Sequence, residues 1–331
     1  MQANMWPDRV VGEINEITDR AAMGLPEHFV APPLAITPAV MNSVRSASSH
    51  DLALLVEDAT AEVARRIAAG WMLSLIGDPR LNPLEPTMVK VQGGRGVIGT
   101  DLSTVDALFE RYVQFGVKRL WIEKECPRFA VDIGEFAIGK YPVTNGEFMA
   151  FLSDTHFPAI PSSWPYGKPP AHALNSPVYT ITAEAAEAYA AWLSRKTGRA
   201  FRLPTEFEWE YVAAGATGRS FPWGDRFTAD AANTMEAGLL STSPVGAFPL
   251  GNTPAGVADL AGNVEEYVSD TYRPYPGGQV VMDDLYLKLG AYRIARGGAF
   301  NRFSDLARCQ RRHGAYPSSL YAIGFRLAED I

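Results

Sequence analysis

Residues 202–211 have the sequence RLPTEFEWEY, which marks the beginning of a helix. Thr205 and Glu208 have the spacing of a capping box, in which a hydroxyl and a carboxylate satisfy the free backbone N–H groups of the first turn. The same spacing occurs upstream at Thr144 and Glu147. The sequence therefore predicts two well-capped helices, and the rest of the main domain is interpreted around them.

Shorter elements surround these two helices. The chain contains 29 Gly and 24 Pro, so turns and irregular backbone are expected to be frequent. The patterns predict a mixed α+β architecture rather than a helical bundle. We expect a helix at 183–196 between Thr182 and Gly198, a helix at 102–115 ending at Gly116, a strand at 136–138, a glycine-turn hairpin across 88–99, and short strands and loops after Gly215.

The N-terminal part of the chain has a helical pattern of its own. Apolar residues recur every three or four positions from Leu52 to Leu75, which predicts one amphipathic helix. Ser48 is placed to cap it and Gly77 to end it. We expect this helix to pack on the main domain, and the alternative is a homodimer interface.

A change in composition around residues 83–86 predicts a boundary between two parts of the chain. Residues 1–86 are interpreted as a helical N-terminal extension, with a further short helix near 11–23. Residues 87–331 form the main domain.

Composition and charge exclude several classes of protein. A net charge of −7 argues against a general nucleic-acid binder, which needs a basic surface. Apolar runs are too short for a membrane span. The first eight residues, MQANMWPD, lack a basic region followed by an apolar stretch, so no signal peptide is expected. With Cys126 and Cys309 expected as free thiols, we predict a cytoplasmic location.

Six ordered sequence blocks carry a family resemblance. They are GKYPVTN at 139–145, RLPTEFEWEY at 202–211, PWG at 222–224, DLAGNVEEY at 259–267, RGGAF at 296–300 and GFR at 324–326. Together they resemble the formylglycine-generating-enzyme, or sulfatase-modifying-factor, superfamily over residues 87–328. The resemblance implies an irregular α+β fold related to C-type lectins. It does not fix the activity, because members include formylglycine-generating enzymes, hercynine sulfoxide synthases, pyoverdine-tailoring relatives and proteins that only bind ligands.

The resemblance also implies positions for the metals of the family. The two copper-binding cysteines of formylglycine-generating enzymes correspond to Arg302 and Ala307, so the copper site and true formylglycine chemistry are not expected. Iron on a histidine triad, as in hercynine sulfoxide synthases, is disfavoured because the five histidines are widely separated. An iron site that combines His313 with carboxylates, first of all Glu265, stays possible.

A structural calcium site is the second metal that the resemblance implies. Its ligands would be the side chains of Asp259 and Glu266 and the backbone carbonyls of Gly262 and Val264, all hard oxygen donors. The alternative is that the two carboxylates only cap a turn. A second family calcium site is doubtful here: Asn233 and Thr234 match it, but the loop that follows is shortened.

Two features of the sequence indicate candidate catalytic residues: a substitution relative to the family pattern, and a segment rich in charged side chains. Glu265 stands where the family usually has a tryptophan on the cleft floor, and an acid there is able to act as a base, a metal ligand or an anchor for a cation. The alternative is an ion pair with a nearby arginine. Residues 302–316 concentrate arginines with one histidine. We predict Glu265 and His313 as catalytic, and Asn301, Arg302, Arg308, Arg312, Tyr316 and Trp164 as substrate-binding.

Three functions are compatible with these residues. The first is an oxidative or tailoring enzyme, with or without non-haem iron, that acts on a small metabolite or a carrier-bound amino-acid-like substrate. The second is a non-catalytic, lectin-like ligand-binding or scaffold protein. The third is a metal-free acid–base enzyme that uses Glu265 and His313.

Overall fold

A computed structural model describes residues 9–318 and 320–331. The prediction about a signal peptide concerns residues 1–8 and lies outside this part of the chain. The helices are α1 Asp19–Ala22, α2 Pro38–Val44, α3 Ser49–Val56, α4 Val63–Ile76, α5 Val105–Tyr112, α6 Arg119–Glu123, α7 Asn145–Thr155, α8 Ala183–Thr197, α9 Glu206–Ala214 and α10 Asp284–Leu289. The strands are β1 Met88–Val91, β2 Gly94–Ile98, β3 Phe129–Ile133, β4 Phe136–Gly139, β5 Ala200–Arg202, β6 Glu265–Thr271, β7 Arg293–Arg296, β8 Ile323–Phe325 and β9 Ala328–Asp330.

Three small sheets hold the main domain together. The first has the order β1-β4-β9-β5, so the C-terminal strand lies inside it rather than at its edge. The second contains β2 and β3, and the third has the order β7-β6-β8, with β8 parallel to β6. Mixed helices and short sheets confirm the predicted α+β class.

The predicted hairpin across residues 88–99 is wrong, although both of its strands exist. β1 pairs with β4, whereas β2 pairs with β3. Gly93 between them lies against the backbone at the end of β3, where an added Cβ would stand 2.2 Å from the Ile133 carbonyl oxygen. The glycine is therefore needed for close packing while the chain crosses between sheets, and not for a hairpin turn.

Local helix signals are confirmed in the structure. Thr144 with Glu147 and Thr205 with Glu208 both form complete capping boxes. Thr182 caps α8, which ends at Gly198 in a left-handed conformation. Since these signals involve residues three positions apart, they do not depend on the rest of the fold.

The single helix predicted from Leu52 to Leu75 is wrong, because the chain forms α3 and α4 there. Asp58 accepts hydrogen bonds from the amide and hydroxyl of Thr60 at 2.8 and 2.7 Å, and this local turn breaks the helix. At the break, Glu57 reaches the main domain and pairs with Lys140 at 2.8 Å. The predicted caps Ser48 and Gly77 are confirmed.

The N-terminal region packs on the main domain in two places. The α2–α4 unit shares an apolar cluster with Leu239 and Phe248. Residues 9–25 instead bury Val10 and Ile14 in the main core; of the helix expected near 11–23, only α1 forms. The boundary at residue 86 and the homodimer stay predictions. No helix in the described part of the chain is long and apolar enough to cross a membrane.

Buried arginines connect the irregular segments of the main domain, and we refer to their ion pairs as the arginine network. Each guanidinium is paired with a glutamate that lies far away in the sequence, which ties loops together where sheet hydrogen bonds are scarce. Its buried pairs include Arg296 with Glu206 and Glu210, Arg308 with Glu125, Arg312 with Glu206, and Arg326 with Glu266.

Candidate active site

Glu265 and His313 meet at the start of the third sheet. Glu265 is the first residue of β6, and His313 forms an isolated bridge with Ala295 of the neighbouring strand β7. As a result the Nδ1 atom of His313 lies 2.6 Å from Oε2 of Glu265. Glu265 is fully buried and His313 is 9% exposed. The ion pair with an arginine that we considered for Glu265 is therefore replaced by a carboxylate–imidazole pair.

The surroundings of this pair favour a neutral imidazole. Burial lowers the pKa of His313, and Arg302 and Lys124 act in the same direction, whereas Glu265 opposes them. A carboxylate at Nδ1 fixes the ring proton on that nitrogen and leaves the lone pair on Nε2. The second oxygen of Glu265, Oε1, is buried and has no hydrogen-bond partner in the described residues. The pair thus combines one unprotonated ring nitrogen with one buried carboxylate oxygen that no described residue contacts by a hydrogen bond.

A cavity of about 480 Å³ is lined by neighbours of the pair, although not by Glu265 or His313 themselves. Tyr267 lines it and lies two residues after Glu265 on β6, so both side chains are on the same face of the strand. Tyr321 also lines it and stacks on His313 with a centroid distance of 5.1 Å and an interplanar angle of 17°. Tyr316 continues the stack on Tyr321 at 6.0 Å. These three tyrosines form a wall of the cavity next to the pair, which we call the tyrosine wall.

Arg302 and Asn301 lie next to this wall. The guanidinium of Arg302 stands over the ring of Tyr321 at 5.6 Å, and its buried Nη1 has no partner in the described residues. Asn301 donates to the Leu320 carbonyl at 2.7 Å, and no described residue is hydrogen-bonded to its buried Oδ1. Of the predicted substrate-binding residues, these two and Tyr316 therefore gather near Glu265 and His313.

The other predicted substrate-binding residues are engaged elsewhere. Arg308 donates to both oxygens of Glu125, at 2.9 and 2.6 Å. Arg312 makes two bonds of 2.8 Å to Glu206. Trp164 is 5% exposed, and its indole N–H is bonded to Asn145 at 2.7 Å, so it offers no surface for stacking.

Two site residues were not anticipated from the sequence. Tyr267 is two positions beyond Glu265, and the two-residue period of a strand contained that signal once β6 was assigned. Tyr321 reaches His313 through the packing of an irregular loop, and no local sequence signal marks it.

The residues predicted for calcium fit that ion in part. Burial raises the pKa of Asp259 to about 6, and the neighbouring Glu266 adds to the rise. A buried carboxylate of this kind suits a cation ligand. Glu266, however, accepts two bonds of 2.6 Å from Arg326 and one of 2.7 Å from Trp209. Arg326 already supplies the positive charge at Glu266, so calcium binding stays a prediction centred on Asp259.

Few side chains at the candidate site are able to bind iron. Within residues 9–318 and 320–331, no group of three or more His, Cys, Asp or Glu side chains is placed to hold a metal. With Glu265 bonded to Nδ1, the free Nε2 of His313 points away from the carboxylate, and an ion on Nε2 would depend on water or substrate for its remaining positions.

A family model described as the sulfatase-modifying factor enzyme 1-like domain matches residues 77–331. The chain belongs to this family. Inactive C-alpha-formylglycine-generating enzyme 2 of Mus musculus is 31% identical over 314 residues, which cover 78% of this chain and 90% of that protein. Both cysteines are free, and the two copper positions hold Arg302 and Ala307, so the chain lies in a branch distinct from formylglycine-generating enzymes.

Two further relatives are informative. Hercynine oxygenase of Mycolicibacterium thermoresistibile is 32% identical over 281 residues, covering 72% of this chain and 60% of that protein. The chain therefore spans less than two thirds of the length of this relative. The solved structure of PvdO from Pseudomonas aeruginosa superimposes with a TM-score of 0.58 and 30% identity, covering 75% of this chain and 95% of that one. The predicted superfamily fold is confirmed.

Proposed function

We propose that this protein is an oxidative tailoring enzyme that acts on a small metabolite in the tyrosine-lined cavity beside Glu265 and His313. The observation that carries the proposal is the 2.6 Å carboxylate–imidazole pair, which is buried and adjoins a cavity of about 480 Å³. A binding protein gains little from a buried charge that has an unpaired oxygen, because that oxygen costs desolvation energy. The similarity to hercynine oxygenases agrees with an oxidative reaction.

The roles of the residues follow from their positions. His313, held by Glu265 at Nδ1, presents Nε2 as a base or as a metal ligand. The free N–H of Arg302 is available to a substrate carboxylate, which agrees with a free or carrier-bound amino-acid-like substrate. If iron binds, Nε2 of His313 would hold it, Glu265 would orient the ring from Nδ1, and the metal would supply the redox chemistry. In every case Tyr321, stacked on His313, covers one face of the imidazole.

Two alternatives have observations of their own. The presence of only two protein donors at the site, among the described residues, favours a metal-free acid–base enzyme that uses the same pair. The similarity to an inactive relative, of which the chain covers 90%, favours a protein that only binds ligands. Both alternatives use the same cavity, so one experiment separates all three.

The test is elemental analysis of protein purified without chelator, together with oxygen uptake in the presence of iron(II), a thiol and hercynine as the probe substrate. Wild type would be compared with Glu265→Gln and His313→Ala. Iron in a one-to-one ratio that both variants lose, with oxygen uptake, supports the proposal. Turnover of the probe that survives chelation and needs Glu265 supports acid–base catalysis. Binding of the probe without turnover, with or without chelator, supports the ligand-binding protein and overturns the proposal.

A further inference from the structure

The first described residues of the chain reach the candidate active site. Val10 and Ile14 are buried in the main core, in one cluster with Val105 and Trp121. Their burial fixes the intervening backbone against the main domain and places Asn15 close to residues near the C-terminus. This stretch precedes residues 77–331, the region that the family model matches.

Asn15 forms a bridge between two side chains of the main domain. Its amide oxygen accepts a hydrogen bond of 2.5 Å from the hydroxyl of Tyr321. Its amide nitrogen donates at 2.5 Å to Oδ2 of Asp284. The other oxygen of Asp284 accepts from the indole N–H of Trp121 at 2.7 Å, so Asp284 stays anchored even without Asn15. Only a side chain with both an acceptor and a donor connects a hydroxyl to a carboxylate in this way.

The hydrogen bond from Tyr321 to Asn15 holds the ring that stacks on His313. Tyr321 is 6% exposed and stacks on the imidazole at 5.1 Å and 17°. A stacked ring that is free at its outer end is able to turn away about its side-chain bonds, whereas a hydroxyl bonded at that end holds the ring in one rotamer. Asn15 therefore holds this ring at its hydroxyl from the N-terminal segment, in addition to Arg302, which contacts the same side chain.

We propose that Asn15 is a positioning residue of the active site, which holds Tyr321 flat against His313 and so completes the wall of the cavity. The functional meaning of this role rests on the function proposed above, because it assumes that His313 takes part in the reaction. The positioning itself does not, since it concerns the packing of two rings. Residues 9–25 are in this view a part of the site and not only an extension of the core.

The proposal is tested by the reactivity of His313 towards diethyl pyrocarbonate, which acylates accessible imidazoles and needs no substrate. The rate at His313 would be followed by peptide mass spectrometry, with the exposed His28 and His50 as internal standards. In wild type the stacked ring protects His313. Asn15→Ala removes the hydrogen bonds to Tyr321 and to Asp284, and loss of the one at the Tyr321 hydroxyl should raise the rate at His313 about fivefold, while the rates at the two standards stay unchanged.

Matched variants separate positioning from general loss of structure. Tyr321→Phe removes only the hydroxyl and should give the same increase as Asn15→Ala, and the double variant should add nothing further. Glu16→Ala, at an exposed neighbour of Asn15, should behave as wild type. If Asn15→Ala does not fold, Tyr321→Phe alone decides the question, because it leaves the packing of the N-terminal segment intact.

The outcomes for the two proposals are distinct. An unchanged rate at His313 in folded Asn15→Ala and Tyr321→Phe, or additive increases in the double variant, would overturn the positioning role and leave the proposed function standing. Protection of His313 that depends on Asn15, in a protein that neither binds iron nor turns over the probe, would uphold the positioning and overturn the oxidative function.

Discussion

Replacing Arg312 tests whether the arginine network is structural. The guanidinium of Arg312 is 1% exposed and bonds twice to Glu206, and it also donates to the carbonyls of Lys124 at 3.0 Å and Arg273 at 2.9 Å. Its donors are thus committed within the protein. Arg302 provides a matched comparison, because it lies in the same segment and keeps an unpaired N–H.

The loss in free energy of unfolding that we expect for Arg312→Ala follows from these contacts. Removing one partner of a buried ion pair costs about 3–5 kcal/mol, because the other charge stays buried. Arg296 also bonds to Glu206, at 2.6 Å, and continues to compensate it in Arg312→Ala. We therefore expect the lower end, about 3 kcal/mol, which lowers Tm by about 6 °C in a protein of this size. Arg302→Ala loses a cation–π contact worth about 1 kcal/mol, so Tm should fall by about 2 °C.

The assay is thermal unfolding followed by circular dichroism, with binding of the probe ligand hercynine measured on the same samples below the transition. Arg312→Ala should be destabilised and still bind, whereas Arg302→Ala should stay stable and lose binding. The reasoning is refuted if Arg312→Ala melts within about 2 °C of wild type, or if it loses binding while Arg302→Ala keeps it.

Three further predictions concern stability. Gly70→Ala in α4 should lower the urea midpoint, because an added Cβ would stand 2.4 Å from Pro244. The cost of this overpacking, about 1–3 kcal/mol, exceeds the gain of about 1 kcal/mol in helix propensity. Burial raises the pKa of Asp259 to about 6 in the folded protein, so the folded state favours the protonated carboxyl. The stabilisation that comes from this protonated form is present at about pH 4 and is lost as the pH rises through the folded pKa. Asp259→Asn should therefore flatten the fall in Tm between about pH 4 and about pH 7, and calcium should raise Tm in wild type only. Thr205→Ala should cost about 1–2 kcal/mol in urea unfolding by removing the cap of α9, and an unchanged midpoint would contradict the capping role.

The sequence predicted features that depend on near neighbours along the chain. The capping boxes at Thr144 and Thr205 were found because both members lie within one helical turn. The helix predicted across residues 52–75 failed because apolar periodicity continues through the break, while the turn at Asp58 depends on side-chain hydrogen bonds that periodicity does not register.

The site was harder to predict because its residues are distant in sequence. The family pattern identified Glu265 and His313, but only the pairing of β6 with β7 brings them together. Nor could the sequence separate Arg302 from Arg308, since that distinction depends on whether a buried glutamate such as Glu125 lies opposite. The sequence shows that an arginine is able to bind a carboxylate, but only the tertiary structure shows whether a carboxylate of the protein already occupies it.

The arginine network also has a consequence for synthesis on the ribosome. Its cations all belong to the last part of the chain, whereas its carboxylates are translated earlier. The cations are Arg296, Arg308, Arg312 and Arg326, and the carboxylates are Glu125, Glu206, Glu210 and Glu266.

At about 5–20 residues per second, the nascent chain carries uncompensated acids in its future core for seconds before the arginines leave the exit tunnel. An unpaired buried charge is too costly for the core to close around it. Folding of the main domain is therefore delayed until residues 296–326 have left the exit tunnel. A chain ended by a premature stop after residue 295 would keep most of its apolar pattern yet remain open to chaperones and proteases.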